Sequence, residues 1–382
     1  MTDAGARRTG IALTDRQRLA WIRLIRSDNV GPATFRDLIN HFGSAEQALA
    51  MLPELSRRGG SARPIRIASV EDAEAEIDRA HRYGARFIGI GEPDYPFALR
   101  QIEAAPPLLA VKGRPSVASH PAIGIVGSRN ASISGAKFAA MLARTTGTAG
   151  YTIVSGMARG IDASAHEASL GTGTIAAMAG GLDRPYPPEN QRLFAEITER
   201  GLAVSEMPFG WEARARDFPR RNRLIAGIGL GVIVVEAAAR SGSLITARLA
   251  GEFGRLVFAV PGSPLDPRCH GTNDLIKQGA ILTTGPDDVL EALAPLSQLD
   301  LPIRPEAEEP VRDGEGRLPD LPDDSMRARI VDALGPTPVE IDDIIRHTGI
   351  DAASVYLVLL ELDLAGRLYR HAGGLVSILM AE

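Results

Sequence analysis

Six short stretches of this sequence carry residue types suited to holding an anion. They are Gly127-Ser128-Arg129-Asn130, Ser155-Gly156-Met157-Ala158-Arg159-Gly160-Ile161-Asp162, Gly180-Gly181-Leu182-Asp183, Phe218-Pro219-Arg220-Arg221-Asn222-Arg223, Glu236 with Ser241-Gly242-Ser243-Leu244-Ile245-Thr246-Ala247, and Pro261-Gly262-Ser263. Glycine lets a backbone approach an anion closely, hydroxyls donate to its oxygens, and helix N-termini aim amides at it. Arginine adds bidentate phosphate contacts. One such glycine alone is usually structural; arginines in most of these stretches make phosphate the expected ligand. The densest basic run is Arg214, Arg216, Arg220, Arg221 and Arg223, with only Glu212 and Asp217 among them. Trp211 and Phe218 lie within it, either as stacking platforms for bases, as single-strand binders use, or as core aromatics beside a solvated basic face.

Two common nucleotide uses fit poorly. The turn Gly124-x-x-Gly127-Ser128-Arg129 is not G-x-G-x-x-G, and the second strand ends at Ser155 where a dinucleotide site needs a carboxylate. No G-x-x-x-x-G-K-[ST] segment occurs. An enzymatic alternative is a nucleotide phosphoribohydrolase with Glu236 as its carboxylate, and His166 or Asp183 as the matched group that acid chemistry needs. His166 lies on an apolar helix, where a packed histidine is the commoner outcome. A single cysteine, Cys269, leaves no multi-thiolate zinc site or disulfide framework within one chain. No metal and no cofactor is expected.

These stretches need a frame that gathers them. Apolar runs of strand length stand at Ala122–Val126, Tyr151–Val154, Thr174–Met178, Leu202–Ser205, Gly231–Val235 and Leu256–Val260. Each ends in one of the Gly- or Ser-bearing turns, and most are followed by a helix-length segment. Continuous apolar strands predict a parallel sheet covered on both faces, hence a doubly wound, mostly parallel Rossmann-like α/β fold with ligands at the strands' carboxyl ends. The flanks read differently. Leu19, Ile22, Leu24, Ile25 and then Phe35, Leu38, Ile39 follow helical spacing around Val30-Gly31-Pro32, a helix–hairpin–helix style in which turn amides meet a DNA phosphate or the helices form a structural cap. Val70–Tyr83 is expected to be helical, and Arg86–Ile90 and Leu108–Val111 short strands. Residues 297–324 are rich in Pro, Asp and Glu, as a flexible linker would be. Helices at Met326–Leu334, Val339–Thr348 and Ala352–Ala365, with strands at Leu368-Tyr369-Arg370 and Leu375–Ile378, make a winged-helix pattern with a two-stranded wing. The predicted domains are thus 10–80 helical, 81–296 Rossmann-like, 297–324 linker and 325–382 winged helix.

Composition sets broad bounds. The 382 residues carry a net charge of −5, but the acid is unevenly placed. Basic and acidic residues number 17 and 14 over 1–120, 17 and 16 over 121–292, and 8 and 17 over 293–382. Acidity in the tail therefore does not argue against a nucleic-acid partner for the rest. Met1–Ala20 is charged and lacks an apolar core of signal-peptide length, and no stretch is long enough to span a bilayer. A cytoplasmic protein without membrane contact is expected.

The motifs as a set resemble the DNA-processing protein A (DprA/Smf) family. They are Gly124-Ile125-Val126-Gly127-Ser128-Arg129, Ser155 to Asp162 with Ala165-His166, Phe218-Pro219-Arg220-Arg221-Asn222-Arg223-Leu224-Ile225-Ala226-Gly227, Ser241 to Ala247, and Val257-Phe258-Ala259-Val260-Pro261-Gly262, in that order across roughly 122–285. The resemblance implies a non-enzymatic protein that binds single-stranded DNA, loads RecA recombinase onto it in natural transformation, and dimerises through the Rossmann-like domain. On the matching positions it makes Ser128, Arg129, Ser155, Gly156, Arg159, Arg221, Asn222, Arg223, Ser241 and Ser243 candidates for phosphate contact. Arg220 and Lys137 are further candidates, and Phe218 a stacking one. The helical start resembles the family's sterile-alpha-motif-like cap, and the tail its winged-helix appendage. One departure concerns Ala352–Ala365, the expected recognition helix. It carries Glu361 and Asp363, is preceded by Asp351, and has no basic residue, so groove reading is disfavoured and protein contacts or autoinhibition are the better use.

Overall fold

The computed structural model describes residues 12–297 and 321–379. Most of the expected linker, 297–324, lies outside them. Two compact units emerge: Glu76–Arg304 in one, Leu13–Ala75 with Pro305–Glu382 in the other.

The chain opens with α1 (Asp15–Ile25), α2 (Pro32–Phe42) and α3 (Ala45–Arg58), followed by α4 (Val70–Arg82). Local signals set their ends. Thr14 and Gln17 form a reciprocal capping box at α1, Pro32 opens α2, and Gly43, at φ 78°, closes it in the left-handed region. Trp21, Leu24, Phe35, Leu38, Leu52 and Leu55 from the first three helices are buried.

A nine-stranded sheet organises the first unit. In chain order the strands are β1 (Arg86–Gly89), β2 (Leu108–Gly113), β3 (Ala122–Val126), β4 (Thr152–Ser155), β5 (Thr174–Ala177), β6 (Leu202–Ser205), β7 (Gly231–Val234), β8 (Leu256–Ala259) and β9 (Ile281–Leu282). Their spatial order is β1-β2-β6-β5-β4-β3-β7-β8-β9. From β6 to β9 every pairing is parallel; β2 lies antiparallel on β6 and β1 antiparallel on β2. The short strands before the sheet therefore extend its edge. All six predicted apolar runs are strands here.

The helices between them are α5 (Ile133–Thr148), α6 (Ile161–Ser169), α7 (Gln191–Arg200), α8 (Asp217–Ile228), α9 (Gly242–Glu252), α10 (His270–Lys277) and α11 (Pro286–Ser297). Successive strand residues face opposite sides. Ile123, Ile125, Ile233 and Val235 pack with Leu142 of α5, Ala165 of α6 and Leu293 of α11. Val126, Val154, Val232 and Val234 pack on the other side with Leu224 and Ile225 of α8 and Ala247 of α9. Burying each such Ile, Val or Leu contributes roughly 1.5–3 kcal/mol, which is why apolar residues run unbroken along these strands. Gly124 belongs to the second face: a Cβ there would come within 3.0 Å of Val232 and 3.2 Å of Ile225.

The winding runs outward from β3 through β4, β5 and β6, then returns to β7 on the other side of β3. The order reverses between β3 and β7, where an open α/β sheet leaves a crevice at its carboxyl edge.

The remaining elements are α12 (Asp324–Asp332), β10 (Val339–Glu340), α13 (Ile341–Thr348), α14 (Ala352–Leu364), β11 (Leu368–Arg370) and β12 (Leu375–Ile378). This is a winged helix with a three-stranded sheet, β10-β12-β11, instead of the expected two-stranded wing. The predicted helix over Val339–Thr348 begins two residues later. Pro336 and Pro338 favour extended backbone, and Val339 pairs with Val376. Among the described residues no helix is long and apolar enough to cross a membrane.

Candidate nucleic-acid interface

The loops that follow β3 and β7 and the first turns of α8 and α9 surround a cavity of about 500 Å³ at the β3–β7 reversal. Ser128, Arg129 and Asn130 come from the first loop, Arg240 and Ser241 from the second, and Phe218, Arg221, Asn222 and Ser243 from the two helices. Three arginines line it against one carboxylate, Asp162. Ser241 caps α9, its Oγ accepting from the Ser243 amide at 3.3 Å and lying 2.7 Å from the Ser243 hydroxyl. Amides, hydroxyls, a helix dipole and guanidiniums thus share one opening, a combination that favours phosphate.

The arginines differ in kind. Arg129 and Arg240 are exposed and have no acidic partner among the described residues. Arg129 lies 5.4 Å from the centre of the Phe218 ring, whose other neighbours are Arg221 at 5.7 Å and Tyr186, edge-on at 5.7 Å. Arg221 is buried instead. Its Nη1 donates to Gly156 O and, at 3.1 Å, to Ala177 O. Burial lowers its pKa to about 10, against the opposing pull of Asp162. Asp162, also buried, accepts from the Gly156 and Ala158 amides at 3.1 and 3.3 Å, and desolvation raises its carboxyl pKa. This pair ties β4, β5 and α8 together beneath the opening.

Gly156 and Gly160 serve this packing. A Cβ at Gly156 would fall 1.8 Å from Arg221 Nη1. One at Gly160, where φ is +76°, would fall 2.3 Å from the Ser128 carbonyl. Both glycines are required by close approach, and Gly160 also by its backbone.

Gly156 and Arg159 line a smaller adjoining recess with Arg129, Tyr186, Pro187 and Phe218. Arg159 is half-committed there to Glu189, 3.5 Å away, both being exposed. Four expected contacts lie outside both cavities. Ser155 is fully buried and donates to Ile125 O at 2.6 Å, because its strand position turns the hydroxyl into the sheet. Arg220 and Arg223 project onto buried Glu206, at 2.9 and 2.6 Å. Lys137 is exposed on the second turn of α5 and is absent from either lining. Trp211 donates through Nε1 to Asp217 at 2.9 Å, with Arg214 stacked 4.8 Å from its ring centre. Asn130 stood in the first predicted stretch but not among the expected contacts, and Arg240 was missed; a basic residue directly before Ser241-Gly242-Ser243 was the available signal.

The enzymatic candidates are occupied by other tasks. Glu236 is buried and accepts from the amide and hydroxyl of Ser132, at 2.9 and 2.5 Å, at the start of α5. His166 is fully buried, its Nδ1 2.7 Å from Thr174 Oγ1. Burial, with the charge of Arg221, holds its pKa at about 3 against an ordinary 6.5. An unfolded chain therefore takes up this proton near pH 6.5 and the folded one only near pH 3, so acid favours unfolding between those values, by roughly 1.4 kcal/mol per pH unit. Urea titrations from pH 6.5 to 4 should show a shallower loss of stability in His166→Asn than in the unchanged chain. Parallel curves would remove His166 from the acid response. No group of His, Cys, Asp and Glu among the described residues could hold a metal ion.

The sheet and its crevice define a Rossmann-like protein with an anion-seeking opening at the point of strand reversal. The chain belongs to the DprA/Smf family. The family model for DNA recombination-mediator protein A matches residues 86–294, the DprA-like N-terminal HHH domain 15–79, and the DprA winged helix domain 316–374. Protein Smf of Synechocystis is 31% identical over 94% of this chain and 98% of its own length. Protein Smf of Escherichia coli is 40% identical over 74% of this chain and 75% of its own. The X-ray structure of DNA processing protein A from Streptococcus pneumoniae matches with a TM-score of 0.60 at 36% identity, covering 74% of this chain and 98% of that one.

Proposed function

We propose that this protein binds single-stranded DNA in the crevice between β3 and β7 and presents it to RecA recombinase. It acts in the cytoplasm as a homodimer and performs no covalent chemistry. The observation that carries the DNA assignment is the pair of exposed arginines without an acidic partner among the described residues, Arg129 and Arg240, on an opening bordered by the N-termini of α8 and α9. Membership in a family of DNA recombination mediators fits a strand as the ligand better than a free nucleotide. Phe218 and Tyr186 favour an unpaired strand, because a ring can stack only on a base released from a duplex. The RecA, dimer and transformation roles are carried by the family resemblance. Glu236 held by Ser132, His166 buried as a neutral ring and Asp183 accepting from the Gly210 amide at 2.8 Å weigh against the hydrolase reading.

Anisotropy titration of labelled oligothymidylate against a matched duplex, over a salt series, tests the reading. The strand should bind more tightly than the duplex, and log K should fall linearly with log salt, by about 0.7 for each phosphate neutralised. Equal affinity for both forms, or binding indifferent to salt, would rule it out.

A further inference from the structure

The loop between β4 and α6 turns on a residue whose backbone its side chain does not favour. Met157 is buried and left-handed, at φ 60°. Glycine takes that region readily; another residue stays there only where its surroundings hold it. With the chain reversed at Met157, the amides of Gly156 and Ala158 converge on one atom, Asp162 Oδ2, at 3.1 and 3.3 Å. The two residues that follow Met157 then reach the rim. Ala158 lines both the main cavity and the recess, and Arg159 lines the recess.

A second element grips this turn from behind. Pro188–Asn190 form a single 3-10 turn directly before α7. Asn190 Nδ2 donates to the Met157 carbonyl at 2.8 Å. Asn190 is also the N-cap residue of α7, a place where asparagine ordinarily accepts from a first-turn amide. Here it makes no such bond. Its side chain is turned away from its own helix, onto a loop 33 residues earlier. Glu189 of the same turn lies 3.5 Å from Arg159, an exposed pair of the weak kind that a phosphate can displace. Asn190 itself lines neither cavity. Asp162 anchors the loop at Gly156 and Ala158, and Asn190 holds the residue between them.

We infer that Asn190 is a positioning residue for strand binding. It keeps Met157 left-handed, and so keeps Ala158 and Arg159 at the rim, without touching the strand. The inference rests on the single-strand reading of the crevice. Without the bond, Met157 relaxes to negative φ in part of the population. Apparent affinity then falls by the fraction of molecules that still present the loop.

Asn190→Ser in the full chain keeps a capping group for α7 but is one bond too short for Met157. Its affinity for labelled oligothymidylate should fall about fivefold, the low end for a left-handed residue that loses its support. The log–log salt slope should not change, because no phosphate contact is removed. In a Met157→Gly background the same substitution should cost less than about twofold, since glycine needs no tether to be left-handed. Should Met157→Gly fail to fold, Met157→Asn takes its place, asparagine being the side chain that best tolerates this backbone. An equal loss in both backgrounds would overturn the inference, because a role in general stability is not rescued at Met157. So would a shallower slope, which would put Asn190 on the strand itself. If the unchanged chain ignores the strand, the single-strand reading fails and takes this inference with it. If the unchanged chain and Asn190→Ser bind equally well, the inference alone fails.

Discussion

Arg129→Ala combined with Arg240→Ala is expected to weaken single-strand binding by about 100-fold at physiological salt. Both guanidiniums are exposed at the cavity and have no acidic partner among the described residues, so a phosphate meets them without first breaking an ion pair. A hydrogen bond to a charged group contributes about 1.5 kcal/mol at the low end, and two such losses approach 3 kcal/mol. The log–log salt slope should become shallower by about 1.4, since two fewer phosphates are neutralised. The loss should be similar for every sequence, because phosphates carry no base information. Arg220→Ala is the control: that side chain already serves Glu206, and its removal should leave the slope nearly unchanged. An unaltered slope in the double variant would remove both arginines from the site.

Arg221→Ala should act through the fold. Its guanidinium is buried on two main-chain carbonyls, and its charge is balanced by Asp162. Removing one member of a buried pair strands the other, at a cost of roughly 3–5 kcal/mol. In a domain of this size that lowers Tm by about 10 °C. Arg221→Lys should recover little, because the lysine ammonium ends one bond short of the Nη1 nitrogen that serves both carbonyls and is a more strongly hydrated charge to bury. Binding will fall too, as the turn from Gly156 to Asp162 loses its anchor. Thermal unfolding separates the causes. Reduced binding with an unchanged Tm would mean that Arg221 touches the strand directly.

The strands that frame the site were readable because they are buried on both faces. Ala122–Val126 and Leu202–Ser205 begin and end where their apolar runs do. β9 was missed, being only two residues long, too short for periodicity to show. The loops after β3, β4 and β7 were equally readable, since glycines and hydroxyls at the ends of neighbouring parallel strands meet at one rim, whereas Gly180–Asp183 and Pro261–Ser263 line neither cavity. Orientation was not. Ser155 differs from Ser128 only in being the last strand residue and not a loop residue, and that one position turns its hydroxyl into the sheet. The run Arg220-Arg221-Asn222-Arg223 lies on a helix, so successive side chains leave in different directions. Arg221 and Asn222 reach the cavity while Arg220 and Arg223 turn to Glu206, an acid fourteen or more residues earlier that no local pattern connects to them. The departure at Ala352–Ala365 was legible from charge alone; that its acids meet Thr34, Arg58 and Arg370 required the two ends of the chain to be seen together.

A structure of the full chain bound to a short oligothymidylate tests the central claim most directly. Consecutive phosphates should lie within hydrogen-bond reach of the Arg129 and Arg240 guanidiniums and the Ser241–Ser243 turn, with a base against Phe218. A strand running instead past Arg220, Arg223 or Lys137, with the β3–β7 crevice empty, would contradict it.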